Sequence, residues 1–386
     1  MKKVLKTIAL ILSVCLVIGS FAGCGNSGSA DKVIKIGSTG PITGPNSTYG
    51  LSVKQAAELA VKEINEAGGV NGYKLEFMME DDVADVSNAK TAYETLMDKG
   101  MQIFLGSVTS GASVALNDVV KKDGILQLTP SATQLEAVSV NSNAFRVCFA
   151  DPDQGVAMAS YIYTKLGLKK AGIIYNQDDS YSTGIYQKFK EEFKKLGGSV
   201  AAETSFSADT KDFNAQVTTI KSSDAEFLFL PIYAEKVAQI LISANSKGLN
   251  VPVLGCDGVD GILTKLTGDN AKLAEGVSFL TPFLSTNTDE KTANFVKNYK
   301  AVNGKEPDQF AANAYDGIYI IKSALEKANV TDPSLSAKEL GDVLVPVMTQ
   351  IDFNGVTGNI KFNANGEPNK DVLVAVIKDG KYVAQK

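Results

Sequence analysis

Residues 106–133 read GSVTSGASVALNDVVKKDGILQLTPSAT, and this stretch holds two strand-to-helix turns in succession. Ahead of it, Gln102–Leu105 (QIFL) is a short apolar run of strand type. The turn Gly106-Ser-Val-Thr-Ser-Gly111 follows, and Ala112–Lys121 has helical spacing. Ile125–Leu128 (ILQL) is the next strand, ending in the turn Thr129-Pro-Ser-Ala-Thr133. Both turns therefore fall at the carboxyl ends of neighbouring strands, where open α/β sheets bind ligands. Hydroxyls and free backbone N–H groups at a helix start suit a small anion such as a carboxylate. The same Ser and Thr residues also serve as ordinary helix caps, and the turns alone do not choose between the two roles.

Working outward, strands and helices alternate on both sides. Val33–Gly37 is a first strand, followed by a Gly/Pro-rich turn over 38–50 and a helix over Leu51–Glu66. That helix places Val53, Ala56, Ala57, Ala60 and Ile64 on one face. Lys74–Met79 is the second strand. Asp81 and Asp82 behind it read as turn and cap residues rather than a metal pair, because no third ligand is evident. Phe145-Arg-Val-Cys-Phe149 reads as a connector, and beyond it the alternation begins afresh with strands near 171–175, 200–205, 226–230 and 251–254. Thr281-Pro282 is a second connector, followed by helices over Glu290–Val302 and Phe310–Lys327. The end is β-rich, and Asp379-Gly380 between two apolar runs is a hairpin signal. The pattern predicts two doubly wound α/β lobes with several crossings.

Composition bounds the chemistry. A chain of 386 residues favours two lobes over one domain. It has no His, which removes His-based general bases, His-containing triads and His-ligated metal sites. There is also no Gly-x-Ser-x-Gly elbow, so an α/β hydrolase is disfavoured. No cofactor or metal is called for. A net charge of −5 without a basic stripe argues against nucleic acid as a partner. Residues 1–23 read as an export signal, with a basic start at Lys2, Lys3 and Lys6 and an apolar core from Ile8 to Ile18. Ser20-Phe-Ala-Gly-Cys24 resembles a bacterial lipobox, which would make Cys24 the lipidated first residue of the mature chain, with 24–31 as a polar tether. Two cysteines remain, Cys148 and Cys256; their different contexts favour free thiols over a disulfide.

Taken in order, several short stretches resemble the substrate-binding proteins of ABC transporters for branched-chain amino acids, of the Leu/Ile/Val-binding type. They are 36–44 (IGSTGPITG), Tyr49-Gly50, 64–72 (INEAGGVNG), 80–82, 129–133, 153–155 and 311–317 (AANAYDG). The resemblance implies a periplasmic-binding-protein type I fold, a Venus flytrap of two lobes joined by three crossings. On that basis 32–148 and 281–354 are expected to form the first lobe, and 149–280 and 355–386 the second. The crossings are expected near Val147–Phe149, Thr281–Phe283 and Phe353–Gly358.

The same resemblance implies a site. Ser110 and Thr133 match hydroxyls that hold the ligand α-carboxylate, and Ser131 and Ala132 match loop positions touching both charged groups. Tyr181 and Tyr233 match aromatics from the second lobe. Asp257 stands where the family has an acid for the α-ammonium. Tyr49, Val108, Thr109 and Phe310 match positions around the ligand side chain. The implied function is capture of an amino acid, without covalent chemistry, for delivery to a membrane permease by a monomeric, lipid-anchored receptor on the extracytoplasmic face. A different small amino acid, an amide or an organic acid remains open as ligand, as does a role as a chemosensory receptor.

Overall fold

The computed structural model describes residues 33–385, so the signal, the tether and Cys24 lie outside the described residues. Two sheets organise the chain. The first has strand order β2-β1-β3-β4-β5, with β1 at Val33–Gly40, β2 at Lys74–Asp81, β3 at Ile103–Phe104, β4 at Gln127–Thr129 and β5 at Ala144–Arg146, all parallel. The second has order β14-β13-β10-β9-β8-β6-β7. Its parallel strands are β6 (Lys170–Asn176), β7 (Ser199–Phe206), β8 (Phe227–Leu230), β9 (Val253–Gly255) and β10 (Ser278–Thr281). β11 (Phe353–Gly355) and β12 (Gly358–Ile360) form a separate antiparallel pair, while β13 (Leu373–Lys378) and β14 (Lys381–Ala384) close the second sheet antiparallel. The hairpin turns at Asp379 and Gly380, both with positive φ (50° and 67°), as a two-residue turn of matching twist requires.

Helices cover both sheets. In the first lobe these are α1 (Ser47–Glu66), α2 (Val86–Asp98), α3 (Ser110–Asp123) and the short α4 (Glu136–Ser139). The second lobe has α5 (Asp151–Tyr161), α6 (Ser180–Lys195), α7 (Asn214–Lys221) and α8 (Ala234–Lys247). The chain then returns to the first lobe with α9 (Glu290–Asn303), α10 (Gln309–Lys327) and α11 (Ala337–Met348), and α10 packs along α1. One core gathers Ile34, Ile36, Ile103, Leu128 and Ile318; another gathers Ile173, Phe189, Phe229 and Leu254. A third body of buried apolar side chains runs through Tyr49, Val108 and Phe310 to Ile232, Ala234 and Val259, so the lobes meet.

Three details differ from the expectation. The stretch read as a connector contains a fifth strand, Ala144–Arg146, and the chain leaves the first lobe just after it. The second turn of the opening stretch leads only to the four-residue α4. The third crossing comes later than 353–358. Phe362 is still in the first core, Gly366 O accepts from Arg146 N, and Lys370 Nζ donates to Asn313 Oδ1. The change of lobe follows at Asp371–Val372, where Val372 joins the second core. Asp316, inside the 311–317 motif, explains why: its buried carboxylate accepts from the N–H groups of Val356 and Thr357 at 2.9 Å each, tying that loop to the first lobe.

Candidate ligand-binding cleft

From the first lobe come the two turns of the opening stretch. Thr109 is the N-cap residue of α3, yet its hydroxyl makes no capping bond and is buried without a partner. The first-turn N–H groups of α3 have no intrahelical acceptor. Simple helix capping therefore does not account for Thr109. Ser110 Oγ accepts from the N–H groups of Thr133 and Gln134, both at 3.2 Å, joining the two turns. Its own proton is left for another acceptor. The Thr133 hydroxyl is buried and faces the Asp151 carboxyl.

Other members of the set are already engaged. Ser131 Oγ donates to Val108 O at 2.7 Å. The N–H groups of Ser131 and Ala132 donate to Thr129 Oγ1. The amides of this second turn are thus used internally and are not free donors, contrary to the expectation from sequence; the free N–H groups belong to the start of α3. Arg146 holds the turn from behind. It is fully buried and donates to the carbonyls of Ala132, Gln134 and Leu135. Its charge is met by Glu367, at 2.8 Å from Nε and 2.9 Å from Nη2.

From the second lobe come Tyr181, Tyr233 and Asp257. The Tyr181 hydroxyl donates to Asp257 Oδ1 at 2.8 Å and accepts from Gly258 N at 2.9 Å. Asp257 N donates to Gln154 Oε1 at 3.0 Å. Beside Gln154, α5 and α6 lie very close: a side chain at Gly155 would come within 2.7 Å of Phe189 N. Burial pushes the Asp257 carboxyl up to about 6, opposed by the bonds from Tyr181 and Gln154. A cation beside it would hold it ionised. The rings of Tyr181 and Tyr233 stack with centroids 4.8 Å apart.

Tyr49 and Phe310 complete the wall. Tyr49 lies 5.2 Å from the Tyr233 ring and 4.8 Å, edge-on, from Phe310. Its hydroxyl bridges the lobes: it donates to Gly258 O at 2.6 Å and accepts from Ala234 N at 2.9 Å. The cleft is thus closed, with Tyr49 serving as a bond across it as well as a wall.

The structure adds residues that sequence reading passed over. Asp151, at the start of α5, is buried, and its N–H donates to Thr133 O at 2.8 Å; burial pushes its carboxyl well above the usual range, opposed by the Thr133 hydroxyl. Gln309 Nε2 reaches Asp257 O across the lobes at 3.3 Å. Arg146 and Gln154 stood inside stretches already singled out, but only the folded chain shows what they touch. Cys148 and Cys256 are free and buried. Asp81 holds the Gly/Pro-rich turn, accepting from Ile42 N and Val83 N at 3.0 Å each, and Asp82 accepts from Ala84 N. Among the described residues no helix is long and apolar enough to cross a membrane.

Two α/β lobes that close over buried polar groups, with hydroxyls on one wall and a carboxylate on the other, define a receptor that encloses a small molecule. The chain belongs to the family described as periplasmic binding protein, which matches residues 33–381. It is 29% identical, over 90% of both chains, to the leucine-, isoleucine-, valine-, threonine- and alanine-binding protein of Pseudomonas aeruginosa. Among solved structures it resembles the branched-chain amino acid transporter substrate-binding protein LivJ of Streptococcus pneumoniae in complex with isoleucine. That likeness has a TM-score of 0.82 and 29% identity, covering 92% of this chain and 99% of the other. The leucine-binding protein LivK of Thermotoga maritima is similar at TM-score 0.82 and 27% identity, covering 92% and 98%.

Proposed function

We propose that this protein captures an aliphatic amino acid between its lobes and hands it to the permease of an ABC importer. The observation that carries the reading is the division of polar groups in the closed cleft. The first lobe presents the unpartnered hydroxyl of Thr109, the buried hydroxyls of Ser110 and Thr133 and the uncapped start of α3. The second presents the buried carboxylate of Asp257, oriented by Tyr181. These suit the carboxylate and the ammonium of one zwitterion. Tyr49, Tyr233 and Phe310 give its side chain an apolar wall. The likeness to relatives that bind leucine, isoleucine, valine, threonine and alanine supports the same ligand class. In this reading the receptor acts as a monomer, without covalent chemistry, on the extracytoplasmic face, held there through lipid on Cys24.

The test is a calorimetric titration of the purified chain with each of the twenty amino acids and with small organic acids that lack an amino group. Binding of one or more aliphatic amino acids at micromolar strength, about 8 kcal/mol of net free energy, is the expected result. Failure of every amino acid to bind overturns the reading, and binding confined to non-amino organic acids would favour the other ligand class.

A further inference from the structure

Behind Tyr49 and Phe310 the lobes also meet around a second group of acids. A cavity of about 510 Å3 lies between them, lined from the first lobe by Thr48, Lys305, Glu306 and Asp308 and from the second by Asp260, Lys381 and Tyr382. Asp308 is the N-cap of α10: Oδ1 accepts from Ala311 N at 2.8 Å and Oδ2 from the Ser52 hydroxyl at 2.5 Å. Asp260, from the opposite lobe, reaches the same helix start, where Oδ2 accepts from Gln309 N at 3.2 Å. Its Oδ1 is buried with no partner.

We propose that Asp260 and Asp308 are positioning residues which meet at one helix start when the cleft closes, Asp260 protonated there, so that ligand capture takes up a proton. The inference rests on the proposed function. Asp260 belongs to one lobe and Asp308 to the other, so opening must separate them and let water reach both. Closing brings Asp260, itself buried, to the helix start that half-buried Asp308 already caps. The helix terminus favours negative charge there, but by a small amount against the cost of burying one charge beside a like one.

The groups around the pair do not neutralise it. Lys305 lowers Asp308, but Lys305 and Lys381 line the cavity together with Glu306. Tyr49, Tyr299 and Tyr382 face the pair as neutral phenols, held so in part by its charge. Ser52 and Gln309 bring only neutral bonds. Burial and the neighbouring Asp308 push Asp260 up to about 7, and burial raises Asp308 as well.

The sign follows from linkage. In the open form both acids titrate near the ordinary carboxylate value of about 4; in the closed form one holds its proton to about 7. Affinity therefore falls as pH rises between these values, by at most about tenfold per unit, and levels off above. Asp151 and Asp257 are buried as well and are present in both wild type and variant, so the difference between the two reads Asp260.

The test compares wild type with Asp260→Asn, which keeps an acceptor for Gln309 N. Calorimetry in buffers of different ionisation enthalpy counts protons bound with the amino acid near pH 6. The variant should take up close to one proton fewer, and its affinity should lose most of its fall between pH 5 and 7. Equal proton counts and parallel pH profiles overturn the proposal. Should Asp260→Asn not fold, Asp308→Asn is measured instead, since Asn is also a good N-cap. If no amino acid binds, the proposed function falls, and small-angle scattering of the ligand-free chains reads the pair directly. Wild type should be more closed at pH 5 than at pH 8 and Asp260→Asn should not; identical behaviour of the two overturns it.

Discussion

Replacing Tyr49 by Phe removes one oxygen and leaves the ring. The ring contacts with Tyr233 and Phe310 are kept. Two bonds across the lobes are lost, from the hydroxyl to Gly258 O at 2.6 Å and from Ala234 N to the hydroxyl at 2.9 Å. A typical buried hydrogen bond contributes about 1 kcal/mol net, so the pair is worth about 2 kcal/mol, and more if both backbone groups stay dry and unpaired. At 1.4 kcal/mol per factor of ten, that predicts roughly 30-fold weaker ligand binding. Both partners lie on the second lobe, so the bonds exist only when the cleft is closed. The loss should therefore appear in the dissociation rate, with the association rate nearly unchanged. Stopped-flow dissociation of bound amino acid, set beside calorimetric affinity, measures both. An affinity within about twofold of wild type would show that the Tyr49 hydroxyl does not hold the liganded cleft shut.

Three more outcomes follow from the same geometry. Asp257→Asn keeps the bond to Tyr181 and removes the charge; calorimetry should show a loss of about 2–5 kcal/mol in binding a zwitterion, and unchanged affinity would refute the ammonium assignment. Arg146→Met leaves Glu367 and three carbonyls without their partner and should cost about 3–5 kcal/mol in denaturant unfolding, with part recovered by adding Glu367→Gln; a midpoint equal to wild type would mean Arg146 does not hold the turn. Cys24→Ala should abolish labelling with radioactive fatty acid in cells, and label that persists in the variant would refute lipidation at that residue.

Much of the fold was legible because its signals are local. Apolar runs of strand length alternate with helical spacing, and Asp379-Gly380 marks the final hairpin. The crossings were harder to place. Ala144–Arg146 is a three-residue strand whose partner is Thr129 and its neighbours, and nothing in its own composition separates it from a connector. The third crossing was displaced because Asp316, some forty residues away in sequence, captures Val356 and Thr357.

The site divided in the same way. Hydroxyls at turn positions pointed to the stretch holding Ser110 and Thr133, and family resemblance alone joined Tyr49, Tyr181 and Asp257 to them. How each polar atom is used depends on partners far along the chain. Ser110 Oγ is taken by amides of the second turn, Ser131 Oγ by Val108 O, and the Tyr49 hydroxyl by the opposite lobe. Asp151 and Asp260 gave no signal because an acid at a helix start or in a turn is commonplace until its burial is known.

By itself, the sequence determined the two-lobed alternation, the absence of histidine chemistry and the clustering of hydroxyls at strand ends, since each depends on nearest neighbours or on composition. The tertiary structure alone decided which donors remain free, which acids lose their water and where the lobes are bonded together. Those properties depend on contacts between distant segments, and burial sets both the cost of an unpaired polar group and the proton affinity of a carboxylate.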